Sequence, residues 1–238
     1  MNRVLITGGA RGIGAAAVRF FAAKGDAVAF IYRSSDEAAE KLCRETGAFA
    51  VKGDISDAAD AQRAAERCIS VLGGVDILIN NAGIAQIKLF DTLTDDDWRK
   101  MLDTNLSGAF YVTRAAVVEM LKAHYGRIIN IGSMWGKCGA SCEVHYSASK
   151  AGLRGFTMSL AKELGPSGIT VNCIEPGVIS TEMNSCLDHQ ALAELRDETP
   201  VGRLGETTDV INAIDFFASE RSSFVTGQIL GVDGGYAI

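Results

Sequence analysis

Short apolar runs alternate along the chain with longer stretches in which apolar side chains recur every three to four positions. The runs at 4–7, 27–32, 48–52, 75–80, 127–132, 170–175 and 229–232 predict strands. The stretches at 12–24, 36–46, 58–72, 95–122, 144–164 and 207–218 predict helices, with a shorter helical stretch around 191–198. Strand and helix in alternation imply right-handed βαβ units. The fold expected is α/β: a doubly wound parallel β-sheet of Rossmann type, about seven strands with helices on both faces. Near-continuous apolar strands such as Ile77-Leu78-Ile79 suit a sheet covered on both sides.

The three prolines, Pro166, Pro176 and Pro200, all fall at predicted element ends, and no linker or low-complexity segment interrupts the alternation. Residues 1–238 are therefore expected to form a single domain. The longest stretch without a strand, 177–200, follows a strand's carboxyl end, where such sheets bind ligands; it reads as a substrate lid or as a static loop and helix.

Composition narrows the function. With 47% hydrophobic residues the chain can fill a globular core. A net charge of -6 and a pI of about 5.1 give no basic field for nucleic acid or an anionic membrane. No apolar run approaches the roughly 20 residues of a membrane span. Met1-Asn2-Arg3-Val4-Leu5 enters a strand at once, so no leader is expected ahead of the fold. The six cysteines have no Cys-x-x-Cys spacing. Cys138, Cys142 and His145 lie close in sequence, but reduced thiols are expected rather than a metal site, and the cytoplasm is the expected location.

Thr7-Gly8-Gly9-Ala10-Arg11-Gly12-Ile13-Gly14 lies between the first predicted strand and helix. A pyrophosphate needs close backbone approach and free amides at a helix N-terminus, and Gly8, Gly12 and Gly14 permit that approach. Glycines also make ordinary turns; the placement that opens a βαβ unit points to a dinucleotide. The second strand ends Tyr32-Arg33-Ser34-Ser35, with no acid before Asp36. An acid at that strand end holds the ribose 2′-hydroxyl of NAD. Arg33 beside Ser34 suits the 2′-phosphate of NADP(H) instead, and Arg11 adds a second charge; the plain alternative is a pair of solvated arginines.

Tyr146 and Lys150 stand four apart, on one face of a predicted helix. Ser133 follows an apolar strand, and Asn105 interrupts an otherwise apolar helix. Trp98, after three acids at a helix start, is expected to be packed. Trp135 and His145 read equally as pocket lining or as core, and His189 as a surface residue.

Further along the chain come Asp54 after the third strand, Asn80-Asn81-Ala82-Gly83 after the fourth, Pro176-Gly177 after the sixth and Val232-Asp233-Gly234-Gly235 near the end. On these motifs the chain resembles the short-chain dehydrogenase/reductase family from end to end, and within it the 3-oxoacyl-(acyl-carrier-protein) reductases. The resemblance implies an NADPH-dependent carbonyl reductase and a homotetramer. It makes Tyr146 the general acid and Lys150 the charge that lowers the phenol's pKa and binds the nicotinamide ribose. It gives Ser133 a hydrogen bond to the carbonyl, and Asn105 a water leading from Lys150 to solvent. Asp54 and Ile55 would flank the adenine, and Asn81 and Gly83 would line the cofactor channel. Ile13, Ala82, Pro176 and Gly177 complete the implied cofactor set.

The resemblance leaves the substrate open: a small molecule or a carrier-linked carbonyl. The stretch from Ser133 to Tyr146, with Gln86, is also similar to reductases of 5-aminopentanone-modified elongation factor P. A reductase of another small ketone, and a catalytically silent NADP-binding regulator, are further readings. The regulator is disfavoured by intact Asn105, Ser133, Tyr146 and Lys150. Where carrier-protein reductases have docking arginines this chain has His124 and Ser167; Lys122, Arg127 and Arg154 are the basic residues that would have to substitute.

Overall fold

The computed structural model describes residues 1–182 and 188–238, so Cys186 and the centre of the expected lid lie outside the described residues, as does the side chain of His189. Seven strands form one parallel sheet: β1 (Arg3–Thr7), β2 (Ala27–Tyr32), β3 (Phe49–Lys52), β4 (Ile77–Asn80), β5 (Gly126–Ile131), β6 (Ile169–Pro176) and β7 (Ile229–Val232). Their order is β3-β2-β1-β4-β5-β6-β7. The chain winds outward from β1 to β3, then returns to β1 and winds the other way, which leaves a switch point between β1 and β4.

The helices are α1 (Gly12–Ala23), α2 (Asp36–Thr46), α3 (Ala58–Leu72), α4 (Asp95–Leu102), α5 (Gly108–Ala123), α6 (Trp135–Cys138), α7 (Val144–Leu164), α8 (His189–Asp197) and α9 (Thr207–Ala218). Strand side chains alternate between faces, and so do the two cores. Val4, Ile6, Phe30, Ile77 and Ile79 pack with residues of α1, α2 and α9. Leu5, Ile31, Leu78 and Ile128 pack with residues of α3, α5 and α7 on the opposite face. The periodicity thus placed every strand and each of the longer helices.

One predicted helix is broken. The stretch expected over 95–122 is α4, a single π-turn at Asp103–Ser107, and α5. The Gly108 amide bonds to the Asp103 carbonyl, five residues back, and Asn105 in this turn is buried. Trp98 also departs from expectation, because it is 40% exposed. Asp97 beside it instead closes a capping box with Thr94 at the start of α4.

Candidate active site

The glycine loop after β1 works by backbone. Gly8 and Gly12 have φ of +67° and +52°, where a side chain is strained. A Cβ on Gly14 would meet the Gly8 carbonyl oxygen at 2.2 Å, so only glycine lets α1 pack beneath the loop. No acid occupies the first turn of α1, and Arg11 caps it without a side-chain bond, so its first amides face the space above. Asn81 closes the switch point. Its side-chain amide donates to the carbonyls of Thr7 at 3.0 Å and Gly8 at 3.1 Å, while its own N–H donates to Thr7 Oγ1 at 3.0 Å.

A cavity of about 320 Å³ opens above this loop, at the carboxyl ends of β1 to β4. Among the sequence-predicted residues it is lined by Gly8, Arg11, Gly12, Ile13, Arg33, Ser34, Asp54, Ile55, Asn81, Ala82 and Gly83. Gly14 lies under the loop and does not reach the wall. Arg33 stands 3.8 Å from Asp54 in an exposed, loose ion pair. Asp36, the first acid after β2, is drawn away by Lys52 at 2.8 Å and the Tyr32 hydroxyl at 3.1 Å.

A second cavity, about 340 Å³, shares Ile13, Asn81, Gly83 and Thr181 with the first. It is lined by Ser133, Tyr146, Lys150, Pro176 and Gly177, and by Trp135 of α6. Tyr146 and Lys150 lie one turn apart on α7, both buried, with the Lys150 ammonium 5.8 Å from the centre of the Tyr146 ring. Lys150 Nζ donates to the Ile131 carbonyl at 2.8 Å, at the end of β5.

Burial dominates the electrostatics of the phenol. Burial pushes the Tyr146 pKa up to about 12, against a downward pull from the Ser133 hydroxyl. The Lys150 ammonium donates to the Ile131 carbonyl, and burial brings its own pKa down to about 8. The phenol is therefore protonated at neutral pH, as a proton donor must be.

Asn105 is buried beside the same site, next to Gly83 and close to Lys150. Its Oδ1 accepts from the Ile84 N–H at 2.8 Å, and its Nδ2 donates to the Ile84 carbonyl at 2.9 Å and Ser149 Oγ at 3.1 Å. The side chain thus straps the segment after β4 to α7; it does not line either cavity.

Two further polar groups stand around the site, and sequence reasoning missed the first. Asn80 Nδ2 donates to Thr113 Oγ1 at 2.8 Å and Asn130 Oδ1 at 2.9 Å, and Asn130 Nδ2 donates to Thr157 Oγ1 at 2.9 Å, a buried chain tying β4 and β5 to α5 and α7. Polar residues at the ends of apolar strands were the available signal. The other group is His145, fully buried, whose Nε2 lies 3.0 Å from Gln86 Oε1, while Gln86 Nε2 donates to Asp97 at 3.0 Å. His145 is thus core, not pocket lining.

The basic residues considered for carrier docking do not gather at this cavity. Lys122 pairs with Glu119 at 2.6 Å, near the amino end of β5 and so at the opposite edge of the sheet from Tyr146. Arg127 is buried there against the Gly126 carbonyl and the Tyr125 ring, and Arg154 pairs with buried Glu175 at 2.6 Å. Cys43, Cys68, Cys138, Cys142 and Cys173 are free thiols.

Comparison with known proteins decides the family. Residues 8–237 match a family model described as enoyl-(acyl carrier protein) reductase. The chain is 39% identical over 236 residues to a 3-oxoacyl-(acyl-carrier-protein) reductase of Aquifex aeolicus, covering 97% of this chain and 95% of the relative. This chain is a short-chain dehydrogenase/reductase. This short-chain dehydrogenase/reductase is also 40% identical to an acetoacetyl-CoA reductase of Shinella zoogloeoides, over 99% of its own length and 98% of that protein's. A double mutant of a Serratia marcescens short-chain dehydrogenase/reductase superposes with a TM-score of 0.92 at 35% identity, covering 99% of this chain and 97% of that one. The protein is accordingly an oxidoreductase of a family that uses a nicotinamide cofactor. No helix among the described residues is long and apolar enough to cross a membrane.

Proposed function

We propose that this short-chain dehydrogenase/reductase is an NADPH-dependent carbonyl reductase of the 3-oxoacyl-reductase type, converting a ketone to a secondary alcohol. The observation that carries the reading is the convergence of a protonated, buried Tyr146, Ser133 and Lys150 on one cavity that opens into the glycine-loop cavity. Two hydroxyl donors facing one space suit a carbonyl oxygen that gains negative charge, more than the carbon–carbon double bond named by the matching family model.

The cofactor fits the first cavity. The free amides of α1 and the close backbone of Gly8 and Gly12 meet a pyrophosphate, and Ile55 offers an apolar wall to the adenine. Arg33 and Ser34 meet a 2′-phosphate, and Asp36, the first acid after β2, is paired with Lys52 and does not line the cavity. A bound reduced nicotinamide supplies the hydride. Tyr146 gives its hydroxyl proton to the carbonyl oxygen as the carbon is reduced, and Ser133 donates a hydrogen bond to the same oxygen. Lys150 places a buried positive charge near the phenolate that results and holds the ribose. Asn105 positions these groups by fixing the segment after β4 against α7.

The enzyme is proposed to work in the cytoplasm as one domain and to assemble as a homotetramer. Half-exposed Phe110, Val118 and Leu121 on α5, and Met158 with open Ala151 and Gly155 on α7, supply apolar faces for a partner copy. Gly152 and Thr157, also small, are turned inward: Leu106 blocks the space beside Gly152, and Thr157 is buried on Asn130. The terminal Tyr236 packs on Trp135, leaving Ile238 exposed.

The test is NADPH oxidation by the purified protein with acetoacetyl-CoA, followed by absorbance, with NADH alongside. Reduction with NADPH preferred is expected, and Arg33→Asp should shift the preference toward NADH. A native enzyme that favours NADH would overturn the cofactor assignment, and inactivity on ketones with either cofactor would overturn the reaction.

A further inference from the structure

Two apolar side chains in the wall of the second cavity stand on short helices, Trp135 on α6 and Leu195 on α8. The catalytic side anchors α6. The Trp135 N–H donates to Ser133 Oγ at 3.2 Å, and a Cβ on Gly136 would meet the Lys150 carbonyl carbon at 2.8 Å. The anchoring of α8 is different. Among the described residues its side-chain bonds are local, with Asp188 capping its start, Gln190 donating to Glu194 and Arg196 pairing with Asp197. One bond leaves the helix: its C-cap residue, Glu198, accepts from the Tyr236 hydroxyl at 2.5 Å.

Tyr236 reaches both helices. Its ring meets the Trp135 ring edge to face, with centroids 5.5 Å apart and planes at 88°. The segment that carries it is held by backbone. A Cβ on Gly234 would meet Thr199 Cγ2 at 2.6 Å, so only glycine lets residues 233–235 lie against the chain that follows α8. The Val201 N–H donates to the Gly234 carbonyl at 3.2 Å. Asp233 accepts from the N–H groups of Gly235 at 3.0 Å and Ala237 at 3.2 Å, and Lys137 of α6 donates to the Ala237 carbonyl. The bond to Glu198 also pushes the Tyr236 pKa up to about 12, so the hydroxyl stays a donor across the working range of pH. Tyr236 does not itself line the cavity.

We propose that Tyr236 is a positioning residue for the reduction: it joins Trp135 to the end of α8, fixes the spacing of these two walls, and so sets how bulky a ketone the cavity admits. The inference rests on the carbonyl-reductase reading and adds to it a determinant of specificity outside the cavity. With α6 fixed on Ser133 and α7, an outward shift of α8 has to break either the charge-assisted bond to Glu198 or the aromatic contact with Trp135.

The test compares ethyl acetoacetate with ethyl benzoylacetate and tert-butyl acetoacetate, which enlarge the ketone on one side or the other. For the full-length enzyme with NADPH, Tyr236→Ala should raise kcat/KM for at least one bulky ketone relative to ethyl acetoacetate by about threefold or more, the scale of one aromatic pair. The change should lie mainly in KM, with the dissociation constant for NADPH unaltered. Tyr236→Phe and Glu198→Ala keep both rings and should each give a smaller shift in the same direction, and the double variant no more than either alone. Glu198→Gln keeps an acceptor and should retain the native selectivity. A merely structural role would slow all three ketones alike, and that result in Tyr236→Ala would overturn the proposal. If Tyr236→Ala does not fold, an unchanged selectivity in both Tyr236→Phe and Glu198→Ala would overturn it instead. If the native enzyme turns over no ketone, the carbonyl-reductase reading fails, and the link is then decided by fluorescence. In a Trp98→Phe background Trp135 is the sole tryptophan. Its quenching by acrylamide should increase in Tyr236→Ala and in Glu198→Ala, and unchanged quenching in both would overturn the positioning role.

Discussion

The two adjoining cavities are built from different materials. The first is mostly backbone: glycines with left-handed φ, strand ends in register and an Asn81 amide bonded to main-chain carbonyls. The second is made of side chains, several buried and titratable, with pKa values displaced by burial. Binding a phosphate-rich ligand calls for many fixed dipoles, whereas moving a proton calls for one group in the right charge state. Damage to the first cavity should therefore appear as lost affinity or stability, and damage to the second as lost turnover.

Tyr146→Phe sharpens that contrast most. Turnover should fall by roughly 10²-fold or more, the scale of a missing general acid, while the dissociation constant for NADPH changes little. Near-native turnover in that variant would break the contrast at once. Gly14→Ala should act in the opposite sense. The new methyl collides with the Gly8 carbonyl, so stability should drop by about 1–3 kcal/mol in thermal unfolding and cofactor affinity should weaken. At saturating cofactor, kcat should survive.

The pH profile offers a third, smaller test. Lys150, with a pKa near 8, is positively charged below that pH and neutral above it, while Tyr146, near 12, stays protonated across the range. The reduction should therefore weaken as pH rises through about 8, and Lys150→Arg should move that limb upward. A profile flat to pH 10 would show that the charge is not needed. Gly155→Ala, outside both cavities, should have the smallest effect. Its added methyl meets nothing within 4 Å in the single chain, so a gain of about 0.4–1 kcal/mol is expected. Loss of stability together with dissociation on sedimentation would place that face of α7 in a tight subunit contact.

How much was legible in the sequence follows the same division. Apolar periodicity located the strands and longer helices because both sheet faces are covered, and the glycine loop could be read from order alone. The break at Asp103–Ser107 could not, because a π-turn inserts one residue without changing the apolar pattern on either side. The burial that raises the Tyr146 pKa was not legible either, for a related reason. Spacing puts Lys150 on the same helix face, but only coordinates reveal that its ammonium is turned to Ile131. The hydrogen-bonded chain of Asp97, Gln86 and His145 was likewise not legible, since its members converge from segments distant in sequence.

The Asn81 clamp has a consequence for how the protein comes to life on the ribosome. Its bonds to Thr7 and Gly8 join residues 73 and 74 positions apart in sequence. The glycine loop is synthesised among the first residues, yet its roof does not exist until β4 has emerged and zipped onto β1. A nascent chain with a finished loop is thus still unable to grip a dinucleotide, and the cofactor can act as a ligand only for topology that has already closed. Once closed, the fold gains stability from the cofactor it binds, so the protein should resist unfolding better with its dinucleotide than without it.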